Sequence, residues 1–435
     1  MAIIQRNRYL QALIDRQHNG MVKVVTGLRR VGKSFLLLRL YTDYLLSSGV
    51  AQDQIVALSL DDDLMERYRN PHELSSYIRE RCTGRRNYYI FIDELQYAMT
   101  AQELAGKTDH IAVYSVLNGL LKLDNIDVYV TGSNSKFLSK DVLSDFRGRG
   151  DEIHLLPLTF GEFMSAYPDD RYAGWQDYYT YGGLPQVCQM KTDEQKAVYL
   201  RNLMETTYLA DITGRHHISN DRQLSELTDI LASSIGSMVN PPRLARTFAS
   251  VAKSTISENT IRNYISYLEE ASLICESRRF DVKGRKYIST PAKYYFEDIG
   301  LRNARLGFRQ TEANHIMENV IFNELRYRGF NVDVGVVPTS TRNAQGNYVQ
   351  SQREVDFVAR RGPRLYYIQC AQTLSGEKNG ISKQEQETMS LALIPDSFRK
   401  IVITADNIKP TTDNRGIIYL NLYDFLLRED VLATL

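Results

Sequence analysis

MVKVVTGLRRVGKSFLLLRL, residues 21–40, decides the fold of the first third of the chain. A short apolar run ends in glycine, and the residues after Lys33 continue with helical periodicity. Between them, Gly27-Leu28-Arg29-Arg30-Val31-Gly32-Lys33-Ser34 matches the pattern G-x-x-x-x-G-K-S. A strand, this loop and a helix in that order form a phosphate cradle, because glycines let backbone N–H groups and the helix N-terminus surround an anion. Gly27, Leu28, Arg29, Arg30, Val31, Gly32, Lys33, Ser34 and the following Phe35 are therefore expected to hold ATP. Lys33 should reach the β- and γ-phosphates, and Ser34 should ligate Mg2+.

Working outward, QIVALSL (54–60), YYIFID (88–93), IDVYVTG (126–132) and EIHLLPL (152–158) are further short apolar runs, most of them separated by polar, helix-like stretches. Apolar strands alternating with helices predict a parallel sheet covered on both faces. The third run ends in Asp93-Glu94, which places Asp93 on the metal and Glu94 against the attacking water. Thr131-Gly132-Ser133-Asn134-Ser135 ends the next strand, and Asn134 or Ser133 is the expected γ-phosphate sensor. Phe146-Arg147-Gly148-Arg149 supplies two arginines before the last strand, and Arg149 is the candidate arginine finger.

The 435 residues hold 53 basic and 52 acidic side chains, a net charge of +1, which removes any global attraction to nucleic acid or membrane. Hydrophobic residues at 43% and charged ones at 24% exclude wholesale disorder. Cys82, Cys188, Cys275 and Cys370 form no CxxC pair, which argues against a disulfide framework or zinc ribbon and for a reducing, cytoplasmic setting. No apolar stretch reaches membrane-spanning length, and the charged N-terminus does not read as a signal peptide.

Beyond residue 158 the pattern turns helical, with a turn at Tyr181-Gly182-Gly183-Leu184-Pro185. Helices over 221–235, 241–252 and 257–271, the last capped by Ser257, precede strands SLICESRRF and AKYYFED. These elements predict a winged helix whose wing is DVKGRKYISTP (281–291). The last region opens on the helix TEANHIMENVIFNELRYRG and continues as an α/β unit, with 339–352 as an exposed hairpin loop.

GLRRVGKS, FIDELQ, TGSNS, the F-R-G-R segment with LLPLTFGEF, YGGLP, YFEDIGLRNA and REVDFV, in this order, resemble prokaryotic AAA-type P-loop ATPases with a winged helix and a C-terminal PD-(D/E)xK nuclease-like domain of unknown function. The expected architecture is an α/β P-loop NTPase (AAA-like) parallel sheet in 1–158, a helical lid or linker in 159–220, a winged helix in 221–309 and a restriction-endonuclease-like α/β domain in 310–435. A nuclease of that type needs helix and strand acids plus Glu-x-Lys to hold Mg2+ and activate the nucleophile. Glu318 and Asp356 fill the first two places, but Gln369-Cys370-Ala371 stands where Glu-x-Lys is required. The module is therefore expected to be inactive, unless Lys378 or Lys383 reaches back.

The third helix of the winged-helix region offers only Arg262 against Glu258, Glu269 and Glu270, whereas Arg278, Arg279, Lys283, Arg285 and Lys286 cluster in and beside the wing. That cluster is the candidate DNA-binding surface. The expected function is a Mg2+-dependent ATPase whose nucleotide state repositions the later modules on DNA. A nucleotide-dependent scaffold with a protein partner and an ATP-regulated nuclease are the competing readings.

Overall fold

The computed structural model describes residues 3–104, 108, 111–132, 149–252, 256–309, 312–342, 348–378 and 380–434. In the N-terminal part the apolar runs form five strands: β1 (Val22–Thr26), β2 (Ile55–Ser59), β3 (Tyr88–Asp93), β4 (Ile126–Thr131) and β5 (Gly150–His154). All pair in parallel, in the order β2-β3-β4-β1-β5. β1, β3 and β4 are buried along their whole length, as a sheet covered on both faces requires. The helical stretch 33–47 packs Leu36, Leu37, Leu40, Tyr41 and Leu45 on one face of the sheet, while Leu74, Ile78, Leu117 and Leu120 cover the other. β5 ends four residues earlier than its apolar run suggests, because 155–158 leave the sheet to meet the Gly182-Gly183 turn; Leu158 N–H donates to the Gly183 carbonyl at 2.8 Å.

The three expected helices follow over Asp221–Ser233, 241–252 and Glu258–Glu270. Ser257 caps the third as its sequence indicates, accepting from Thr260 N–H at 3.0 Å. Ile261, Tyr264, Ile265 and Leu268 turn inward from that helix and leave Arg262 and Asn263 outside.

The hairpin expected as a wing is β6 (Ile274–Asp281) and β7 (Lys286–Phe296). It does not stand alone. Its Arg279–Asp281 segment pairs in parallel with β8 (Asn331–Arg342), so the hairpin is the edge of one eight-stranded sheet. The expected boundary between 309 and 310 thus falls within a chain whose strands on either side share a single sheet. β8 turns back into β9 (Tyr348–Arg361), followed by β10 (Arg364–Ala371), a separate ribbon of β11 (Glu377–Lys378) and β12 (Ile381–Ser382), then β13 (Arg399–Thr404), β14 (Thr411–Thr412) and β15 (Ile417–Asn421). The large sheet runs β14-β15-β13-β10-β9-β8-β6-β7. Much of the stretch expected as an exposed loop is strand, with Thr339 opposite Ser351 and Arg342 opposite Tyr348. A strand with polar residues on both faces carries no apolar alternation, which is why the pattern misses it.

One apolar core continues from β1 and the stretch 33–47 into the helices of 221–270 and as far as Tyr327. A second lies under the large sheet, where Phe160, Phe163, Trp175 and Tyr178 meet Phe322, Phe357 and Phe425. The expected linker is accordingly part of the packing between the modules.

Candidate functional site

The phosphate loop leaves β1 through Gly27 (φ 130°) and turns on Arg30 (φ 65°) and Gly32 (φ 100°). A side chain on Gly27 would collide with the Leu155 carbonyl, so only glycine lets the loop pass that close to the chain leaving β5. Lys33 follows immediately and is buried; its Nζ donates to the Gly27 and Leu28 carbonyls at 3.0 and 2.9 Å. Among the described residues, the ammonium is thus held under the loop by backbone oxygens. Burial lowers its pKa to about 8, against the pull of Glu94 and Asp93, which favour the charged form.

Parallel pairing brings the tips of β3 and β4 to the same end of the sheet as the loop. β4 lies between β1 and β3, and its last residue, Thr131, ties the neighbouring tip together: its hydroxyl donates to Asp93 and accepts from Glu94 N–H at 3.0 Å. Asp93 is buried, and burial pushes its carboxyl up while the hydroxyls of Thr131 and Ser34 pull it down. Asp93 and Ser34 therefore share one hydrogen-bonded corner, a hard oxygen pair of the kind Mg2+ selects. Glu94 adopts left-handed backbone angles (φ 55°, ψ 52°), rare for a residue with a side chain. Gln96 Nε2 donates to its carboxylate. Local strain of ~1–3 kcal/mol is typical of such a conformation. Here it accompanies a carboxylate on the wall of a cleft of about 480 Å3, lined also by Arg29, Arg30, Gly32, Lys33, Ser34 and Asp61.

The residues present fit a magnesium nucleotide: a glycine whose Cβ position is filled by backbone, a buried ammonium without a carboxylate in contact, and a hydroxyl–carboxylate corner beside it. Phe35 is half-exposed on the cleft rim and Val31 is buried beneath it. Leu28 belongs to the core, so its contribution is its backbone.

One sequence expectation falls outside the described residues, and another does not come together here. Ser133, Asn134, Ser135 and Arg147 lie outside the described residues. Arg149 is described, and it sits at the wrong end: its carbonyl accepts from Val22 N–H at 2.9 Å, at the start of β1. Four residues of strand, roughly 13 Å, separate that point from the loop. Within one chain Arg149 does not line the cleft.

The pattern also misses what closes over the loop. In the helical stretch 203–215, Tyr208 Oη donates to the Arg29 carbonyl at 2.7 Å, and Asp211 pairs with the Arg29 guanidinium at 3.2 Å and with Arg215. These residues lie about 180 positions from the loop and carry no local signal. Behind β1, Thr26 Oγ1 lies 3.0 Å from His154 Nδ1, and His154 Nε2 meets Glu297 at 2.9 Å. Burial alone would push the Glu297 carboxyl up; His154 and Arg326 instead hold it below its ordinary value. Arg326 contacts it at 3.1 Å from the helix Ala313–Tyr327, so polar contacts run from the strand under the loop to the C-terminal module.

A parallel sheet carrying this loop, with Asp93, Glu94 and Thr131 at adjoining strand tips, defines a P-loop ATPase domain. Residues 19–164 match the AAA domain family, and residues 172–312 match a domain of unknown function (DUF8612) that spans most of the expected linker and all of the winged-helix region. An uncharacterized protein of Haemophilus influenzae is 31% identical over 433 residues, which is 98% of this chain and 99% of that protein; the chain belongs to the same family. A second uncharacterized protein, from Methanocaldococcus jannaschii, is 25% identical over 350 residues, 78% of this chain and 71% of the other. Among solved structures, a Walker-type ATPase of Pyrococcus abyssi aligns with 70% of this chain and 96% of its own at 14% identity, with a TM-score of 0.47.

The lowered Lys33 pKa has a measurable consequence. A polyphosphate beside Lys33 favours its charged form, so the pKa rises on binding and protons are taken up wherever the free protein has lost them. Nucleotide affinity is expected to be flat below about pH 7 and to fall as pH passes about 8, by at most ~tenfold per pH unit. Calorimetry in buffers of different ionisation enthalpy should show near-zero proton uptake at acidic pH and a clear uptake above pH 8.

Proposed function

We propose that the chain is an ATP-dependent switch: ATP with Mg2+ binds in the cleft around Lys33, is hydrolysed there, and its presence or loss repositions the helical and C-terminal modules, with DNA as the surface they act on. The observation that carries the reading is the convergence of Lys33, Ser34, Asp93 and Glu94 at one end of one parallel sheet. Ser34 and Asp93 would hold the magnesium that neutralises phosphate charge. Lys33 would pair with phosphate oxygens in place of the two backbone carbonyls it now contacts. Glu94, aimed by its backbone and by Gln96, would orient a water and accept its proton.

Contacts in two places support coupling to the rest of the chain. The Tyr208 and Asp211 clasp on Arg29 must respond if the loop adjusts around phosphates, and Glu297 links the neighbouring strand to the helix Ala313–Tyr327. Arg30, exposed on the cleft, is placed to meet phosphate or a partner.

The DNA component rests on the hairpin. Arg278, Lys283, Arg285 and Lys286 are exposed and have no ion-pair partner among the described residues. Arg279 instead donates to Gln352, and Lys283 reaches the Pro338 carbonyl at 3.0 Å. Unpaired exposed cations on a nearly neutral chain form the local patch that phosphates favour. The three helices and hairpin of 221–296 are read as a winged helix on the same grounds, and 310–435 as a nuclease-like module without hydrolysis.

One observation favours the competing reading of a scaffold with little turnover. Arg149 does not line the cleft of its own chain, so if it is the arginine finger a lone chain would hydrolyse slowly. ATP turnover measured with and without DNA separates the two. Stimulation by DNA, weakened by reversing the charges of Arg278, Arg285 and Lys286 and by added salt, is the expected result. Indifference to DNA would remove it as the partner and leave a protein in that role.

A further inference from the structure

The nuclease-like reading calls for a divalent cation between Glu318 and Asp356, and the residues found there do not fit one. The two carboxylates do converge, joined by Glu354 from the same face of β9. Into that space β7 sends Lys293. Its Nζ lies 2.8 Å from Glu318 Oε1, 2.5 Å from Glu354 Oε1 and 4.0 Å from Asp356 Oδ1, and the side chain is buried. Tyr295, two residues along the same strand, donates its hydroxyl to Glu318 Oε1 at 2.6 Å. Asp356 Oδ2 accepts from Cys370 N–H at 2.8 Å.

Of the two lysines that could have migrated into this site, one is described with its side chain. Lys383 makes no ion pair with the cluster, and the side chain of Lys378 lies outside the described residues. On β10, Gln369 is engaged with Asp356 N–H and Glu387, at 3.4 and 3.5 Å, and Ala371 is buried and neutral.

A magnesium or calcium ion needs six or more oxygen ligands within ~2.0–2.6 Å. An ammonium in contact with two of the three carboxylates takes both the space and the charge that the ion would use.

We propose that Lys293 is a built-in cation that replaces the divalent metal of this module, making residues 310–435 a metal-free domain riveted through β7 to the hairpin. The likeness to nucleases supplies only the expectation of a metal; the lysine's geometry stands without it. Lys293 is therefore a structural cation, and the acids around it are its counter-ions.

The test uses the full chain without nucleotide. Wild-type protein should show no Mn2+ uptake that depends on Asp356, and its thermal transition should be indifferent to EDTA and to millimolar Mn2+. Lys293→Met leaves the acids uncompensated. Its transition should fall by several degrees and be raised again by Mn2+ but not by Na+ at equal ionic strength. In Lys293→Met with Asp356→Asn the Mn2+ response should vanish. Uptake of one Mn2+ by wild type, lost in Asp356→Asn, would overturn the proposal, as would a folded Lys293→Met variant that ignores Mn2+. Should Lys293→Met fail to fold, the wild-type titration decides alone: Asp356-dependent uptake refutes the proposal and its absence upholds it.

Discussion

Glu94→Gln should cut ATP turnover by ~10²–10⁴-fold and leave nucleotide binding nearly unchanged. The substitution keeps size and hydrogen-bonding capacity, so the contact with Gln96 and the backbone bond from Glu94 N–H to Thr131 survive. What it removes is the ability to take a proton from water. Affinity rests elsewhere, on Lys33 and the loop backbone. Single-turnover hydrolysis and equilibrium titration on the same variant separate the two quantities. Equal loss of both would mean that Glu94 shapes the pocket and does not act on water. Retained turnover would move the base to another residue. A scaffold reading makes a further demand on this variant: its partner function should persist in full.

Gly27→Ala should be the most damaging single methyl group in the ATPase domain. The backbone there stands at φ 130°, which side chains rarely adopt, and the new Cβ would meet the Leu155 carbonyl. Leu155 cannot simply withdraw, because its N–H is bonded to the Thr26 carbonyl at 2.9 Å and its side chain is in the core. Backbone strain and overpacking together come to about 2–6 kcal/mol. Part of that is expected as a lower thermal transition and the rest as a distorted loop with nucleotide binding lost. Gly20→Ala is the control. Gly20 also has positive φ (74°), but nothing lies within 4 Å of its Cβ position. Its cost should stop at the strain, near 1 kcal/mol, with binding intact. Equal effects at both positions would show that close approach to Leu155 plays no part.

What could be read from the chain in advance follows from how local each signal is. The phosphate loop is made by eight consecutive residues, and Asp93-Glu94 by the end of one strand, so order along the chain already implies place in space. Thr131 falls within the quoted TGSNS, but its role depends on β4 lying between β1 and β3, which is a matter of sheet order. Tyr208, Asp211, His154 and Glu297 act across distances of more than 100 residues and sit in ordinary-looking helices, at a strand end and in a bend.

Lys293 is a different case. It interrupts AKYYF (292–296), which is otherwise apolar and aromatic, and a charge buried in such a run must find a counter-charge. That signal was present; its partners on the helix Ala313–Tyr327 and on β9 were not identifiable without the fold. Arg149 shows the opposite limit. Its position before β5 was correctly a strand start, and parallel pairing then put it at the end of the sheet away from the nucleotide cleft.

The contacts through Glu297 would give the proposed switch a physical route that the motifs alone lack. Thr26 belongs to the strand that carries the loop, His154 to its neighbour, and Arg326 to the helix that also presents Glu318. A shift of β1 or β5 would therefore reach the buried Glu297 carboxylate, which lies between His154 and Arg326.

The proposed function depends on a triphosphate occupying the cleft around Lys33. The direct measurement is calorimetric titration of ATP with Mg2+ into the full-length chain near pH 7, repeated with Lys33→Ala. One nucleotide per chain for the wild type and none for a folded Lys33→Ala variant is the predicted outcome. A well-folded wild-type protein that takes up no nucleotide, or a Lys33→Ala variant that binds as tightly as its parent, would contradict it.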